Sequence, residues 1–186
     1  MLQPPNIRLY GQYKYLTFHC LSWQLISAIL HFIAHFIKPI RPVRDLVFTT
    51  ISSPLSYLVV FTFWGVWHIR GREFIFPDAI ATYIPDWLNH TTHSVPIPIN
   101  IAFQMLCNHR FTRNSYIIIL GYMLTYTVFL CYFKRMTGNF FYKYIDIMSG
   151  IEVFIYFSAS GLLALICYKI GQYINSYLHP PVLRSE

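Results

Sequence analysis

The segment Tyr116–Phe133, YIIILGYMLTYTVFLCYF, decides the fold. It runs 18 residues without a charge and is closed by Lys134 and Arg135. A bilayer core needs about 20 apolar residues of helix, so an uncharged apolar run of this length reads as a transmembrane segment. Backbone amides in lipid find no water and must close their hydrogen bonds internally, which makes the segment a helix. Working outward, four further runs have the same character, over about 15–37, 46–69, 87–107 and 151–178. Lys38-Pro39, Arg70-Gly71-Arg72 and His179-Pro180-Pro181 close three of them. Composition agrees: 11% of the residues are charged, where soluble domains carry about 25%. The sequence therefore predicts an all-α, polytopic transmembrane bundle of about five spans, forming a single helical domain over 1–186.

The formal net charge is +7. The lysines and arginines fall between the apolar runs rather than in one patch, which suits anionic lipid headgroups and speaks against nucleic acid as a partner. One set of alternate loops holds seven basic residues and the other six, too small a difference to fix orientation. Cys20, Cys107, Cys131 and Cys167 form no CxxC pair and read as small buried hydrophobes. Met1–Leu9 is polar with two prolines, so the first apolar run is expected to act as the insertion signal.

Polar residues inside spans are costly and face the bundle interior or a cavity. At about 100° per residue, Thr17, Cys20, Gln24, Ser27, His31 and His35 fall within roughly 80° of arc on the first span. Thr17 stands at one end of that stripe. The third span opens with Trp87-Leu88-Asn89-His90-Thr91-Thr92-His93. Asn89 and His93 are four apart and share a face, which Asn100 and Gln104 continue. His90 lies nearer the edge. Pro96 and Pro98 each remove a donor and crowd the preceding turn, so the helix is expected to break there and to border a cavity.

Two readings stay open on these residues. In one, Thr17 is a hydroxyl nucleophile and His93 its general base in a lipid-lined pocket, with Asn89 or Gln24 offering a donor to the oxyanion. In the other, the polar groups hydrogen-bond between helices and hold the bundle together. His31 and His35 have the i, i+4 spacing of a metal-binding helix, but no third ligand is apparent and no metal is expected. Asp86 and Glu152 read as residues of helix starts, and Ser52 and Ser56 as small residues that let helices approach.

The chain resembles the androgen-induced gene 1 and androgen-dependent TFPI-regulating protein family. The matching pieces are Tyr10-Gly11, Lys14-Tyr15-Leu16-Thr17-Phe18, Arg44-Asp45, Phe63-Trp64, Arg72-Glu73, Phe76-Pro77, Ile84-Pro85-Asp86-Trp87-Leu88-Asn89-His90 with His93, Thr137-Gly138, and Asn175 to Tyr177. The WLNHxxH piece after a proline is the most specific. The resemblance implies multi-pass membrane hydrolases that cleave fatty acid esters of hydroxy fatty acids into a fatty acid and a hydroxy fatty acid. It places the nucleophile on Thr17 and the catalytic histidine on His93; Asn89, His90, Gln24 and His31, on the polar faces described above, are the supporting candidates. It implies no metal and no organic cofactor. The expected partners are a lipid ester and membrane lipids, and the expected home is the cell membrane or the endoplasmic reticulum. It also implies a sixth span before KYLTF, which Met1–Leu9 does not supply. The competing expectation is a non-catalytic membrane regulator that binds lipids or partner proteins. A transporter is less favoured, because no inverted repeat is evident.

Overall fold

A computed structural model describes residues 11–72, 75, 85–112 and 114–180. Of the positions named above, Met1–Leu9, Tyr10, Glu73, Phe76, Pro77, Ile84 and Pro181 lie outside the described residues.

Helix α1 is Leu16–Phe36, entered from extended backbone at Tyr15. A 3-10 turn, Lys38–Ile40, leads into α2, Arg41–Val47, and a π turn, Phe48–Ser52, joins it to α3, Ser53–Arg70. Pro54 explains the π turn: its ring would crowd the carbonyl one turn back, and a wider turn relieves the clash without ending the rod. Gly71 stops α3 at φ 94°. The chain continues through α4, Asp86–His93, α5, Pro96–Leu106, and α6, Tyr116–Thr137, which ends on left-handed Gly138. The short α7, Lys143–Asp146, precedes α8, Gly150–Leu178. Ser149 and Glu152 form a reciprocal capping box at the start of α8, the helix-start role expected for Glu152.

Four helical stretches are long and apolar enough to cross a membrane: Leu16–Phe36, Lys38–Arg70, Tyr116–Thr137 and Gly150–Leu178. The run expected to span over 87–107 is instead two short helices, because Pro96 cannot continue α4 and opens α5 at its first turn. Burial ranks the rods. The apolar window of Lys38–Arg70 is 72% buried, against 17%, 28% and 17% for the other three. The α2–α3 rod is therefore the axis around which α1, α5, α6 and α8 pack. Leu55, Leu58 and Val59 of α3 meet Cys20, Ile119, Met123, Ala164 and Cys167 in the core. Gly171 permits the closest approach, since a Cβ there would lie 2.7 Å from Ser53 Oγ. The outer faces carry exposed Leu25, Phe32, Leu124, Val128, Phe154 and Leu162. A soluble monomer rarely shows so continuous an apolar exterior, whereas lipid covers it.

Candidate functional site

Gln24, midway along the α1 stripe, bonds between helices. Gln24 Nε2 donates to Ser56 Oγ (2.9 Å) and to the Pro96 carbonyl (2.7 Å), while Asn100 and Gln104 of α5 donate to Ser53 Oγ at 3.2 and 3.4 Å. These contacts tie α1, α3 and α5 together inside the bundle. They also answer a local problem. The break between α4 and α5 frees carbonyl groups that lipid cannot satisfy. The Trp64 indole donates to the His93 carbonyl (3.0 Å) and to Ser94 Oγ (3.2 Å), and Gln24 reaches from α1 to the Pro96 carbonyl beside the break. Two grooves run elsewhere on the molecule, about 450 Å³ along Phe61, Gly65, Tyr144 and Tyr156, and about 380 Å³ along Leu165–Tyr173. Neither is lined by Thr17 or His93.

Thr17 and His93 meet. Thr17 Oγ1 lies 3.2 Å from His93 Nε2, and both residues are half-buried. The partners of the ring fix its tautomer. Nδ1 faces the Asn89 carbonyl (3.1 Å), Asn89 Oδ1 (3.0 Å) and Thr92 Oγ1 (2.8 Å). The carbonyl only accepts, so Nδ1 carries the proton, and Nε2 is left with a lone pair aimed at the Thr17 hydroxyl. Phe63 holds the plane of the imidazole by stacking on it, with centroids 3.6 Å apart and planes 13° from parallel. His93 can occupy this position because α4 ends just beyond it, bringing Asn89 one turn back beneath the ring.

Thr17 sits in the first turn of α1, where amides lack helical acceptors. The N-cap, Tyr15, offers no side-chain cap. Leu16 N–H is taken by Tyr142 Oη at 3.0 Å, and Tyr126 donates its hydroxyl to the Lys14 carbonyl at 2.8 Å. Burial pushes the Tyr142 phenol above its ordinary range, so it keeps its proton. Among the described residues, no acceptor faces the Thr17 N–H.

The remaining candidates separate. Asn89 is buried and supports His93 through Oδ1. Gln24, two turns from Thr17, has committed its amide to Ser56 and Pro96, so the expected donor role at the oxyanion is not available to it. His90 is exposed, stacks on Trp64 and contacts Ser94 Oγ at 3.2 Å. His31 lies at the far end of α1 against His109, not in the Thr17 pocket, and His35 is exposed beside Phe36. Sequence reading missed the packing of Phe63 and Trp64 around His93. Their signal was an aromatic pair one turn before the end of an apolar run, which resembles any interfacial belt.

Residues 3–176 match the FAR-17a/AIG1-like protein family. The chain belongs to that family. It is 31% identical over 143 residues to the androgen-dependent TFPI-regulating protein of Rattus norvegicus, covering 76% of this chain and 62% of that protein. It is 24% identical over 144 residues to the androgen-induced gene 1 protein of Homo sapiens, covering 76% and 60%. This FAR-17a/AIG1-like chain therefore spans less than two thirds of the length of these relatives. No solved structure matches it.

Proposed function

We propose that this FAR-17a/AIG1-like chain is a membrane-embedded threonine hydrolase of lipid esters, acting on fatty acid esters of hydroxy fatty acids. The observation that carries the reading is the Thr17 Oγ1 to His93 Nε2 contact of 3.2 Å, made with the histidine in the tautomer that accepts a proton. A threonine hydroxyl is a weak nucleophile until an adjacent base takes its proton. Here the base is oriented by a third group, Asn89, in the general nucleophile, base and orienter arrangement.

The reaction divides into two acyl transfers. Thr17 Oγ1 attacks the ester carbonyl while its proton passes to His93 Nε2. The carbonyl oxygen becomes an oxyanion, for which the Thr17 N–H at the start of α1 is the nearest free donor, aided by the positive end of the helix dipole. The carbon–oxygen bond to the alcohol breaks, and His93 Nε2 returns its proton to the departing hydroxy fatty acid. Water, deprotonated by the same nitrogen, then attacks the Thr17 ester and releases the fatty acid. Both reacting groups are half-buried on a bundle whose outer faces are apolar, which suits a substrate arriving laterally from the bilayer.

The test is hydrolysis of a branched fatty acid ester by the purified protein in detergent. Wild type is expected to turn over, and Thr17→Ala and His93→Ala to lose activity while keeping the wild-type Tm. Full turnover by either variant would end the mechanism. The second reading is a regulator without catalysis, favoured by the name of the Rattus norvegicus relative and by the share of the α1 stripe engaged in inter-helix hydrogen bonds. It predicts that Thr17→Ala preserves the cellular phenotype of the protein.

A further inference from the structure

Thr17 and His31 are 14 positions apart on α1, about 21 Å along the axis. At the His31 end lies a second enclosed polar cluster that the proposed chemistry does not use. Asp45 Oδ1 accepts from Arg44 Nε (3.0 Å) and Nη2 (2.7 Å), and His109 Nδ1 lies 2.9 Å from the same oxygen. The His109 side chain is fully enclosed. Its Nε2 is 3.3 Å from His31 Nε2 and 3.3 Å from the Phe103 carbonyl. His31 Nδ1 is 2.7 Å from the Ser27 carbonyl.

The partners fix the hydrogens. A carbonyl only accepts, so His31 Nδ1 carries a proton. Asp45 is held as a carboxylate by the Arg44 fork, so His109 Nδ1 carries one too. A neutral imidazole has a single N–H. With both rings neutral, two bare Nε2 lone pairs would face each other at 3.3 Å, and that of His109 would also face the Phe103 carbonyl. One further proton between the nitrogens removes both conflicts. His109 is the ring that takes it, because it lies against the Asp45 carboxylate and its second N–H finds two acceptors. Phe48 stacks on it with centroids 4.1 Å apart, presenting a π face to a cationic ring.

We propose that His109 is a buried proton-binding site, an imidazolium bridging the Asp45 carboxylate and the neutral His31 ring, and that its proton clamps α1 to α2 and to the connection between α5 and α6. The groups facing it are few. From α2 come Arg44 and Asp45, and from the connection Cys107, whose Sγ lies 3.4 Å from Arg44 Nη1. From α8 comes uncharged Asn175, which accepts from His109 N–H and donates to its carbonyl, both at 3.0 Å. From α5 comes the Phe103 carbonyl, from the π turn the Phe48 ring, and from α1 His31 itself. The segment that carries His93 at one end therefore carries this clamp at the other, and α1 is held against it at both. The inference stands whether or not the chain hydrolyses esters.

Sign follows from linkage. The folded chain holds a proton that an unfolded histidine releases near its ordinary value of about 6.5, so stability falls as pH rises above that value. In His31→Gln the carboxamide N–H can donate to Nε2 of a neutral His109, and the demand for the extra proton disappears. Above about pH 7, wild-type Tm in detergent is expected to fall more steeply with pH than that of His31→Gln, by up to roughly 3–5 °C per pH unit. Equal slopes would overturn the proposal. Nitrogen NMR of the wild type with labelled histidine rings reads the proton without a variant. One ring with both nitrogens protonated at about pH 8, where free histidines have lost the second proton, is expected. A bare nitrogen on every ring at that pH would overturn it.

Discussion

The two ends of α1 each set an imidazole against a polar partner, and they differ in which way the lone pairs point. At the Thr17 end, His93 donates through Nδ1 and presents a bare Nε2 to a hydroxyl, which has a proton to give. At the His31 end, the same rule applied to two rings leaves bare nitrogens facing each other. In the proposed reaction the first arrangement passes a proton, whereas the second is proposed to retain one and hold structure. The difference arises from the second partner. His93 is backed by neutral Asn89, which orients the ring without holding a charge on it, whereas His109 is backed by Asp45, which favours the charged ring.

Five substitutions sharpen that contrast. Thr17→Ala or His93→Ala is expected to lower ester turnover by about 10²–10⁴-fold, as loss of a nucleophile or general base does, with Tm unchanged. Asp45→Ala leaves Arg44 enclosed without its partner and is expected to cost about 3–5 kcal/mol of stability in a denaturation assay. Turnover per folded molecule should fall far less than in Thr17→Ala. Asn89→Ala frees the His93 ring from one of its orienting partners but leaves the backbone carbonyl. Its expected loss is up to about 10²-fold in kcat, with KM unchanged. His35→Ala, on the same stripe but exposed beside Phe36, is expected to change stability by less than about 0.5 kcal/mol. A large effect there would mean that the stripe works as a unit rather than as two separate ends.

The architecture was legible because lipid imposes it: long uncharged runs such as Tyr116–Phe133 have no other stable form in a bilayer. The polar faces that carry Thr17 and His93 were legible from helical periodicity, while their pairing was expected from the resemblance carried by the KYLTF and WLNHxxH motifs. The break at Pro96 was readable too, but its consequence was not. A proline marks lost hydrogen bonds without saying which side chains replace them, and here the Trp64 indole meets the His93 carbonyl at the break. The His109 cluster was invisible for a different reason. Its members lie at positions 31, 44, 45 and 109, in loops and helix ends with no shared period, and only tertiary packing makes them neighbours. The i, i+4 spacing of His31 and His35 matched a metal-binding helix but lacked a third ligand, and His31 instead meets His109, 78 positions away.

The most direct measurement is to treat the protein in detergent with a fluorophosphonate probe and map the modified residue by mass spectrometry. The account predicts a single adduct on Thr17, lost in Thr17→Ala and strongly slowed in His93→Ala. An adduct on another residue, or labelling that persists in Thr17→Ala, would contradict it.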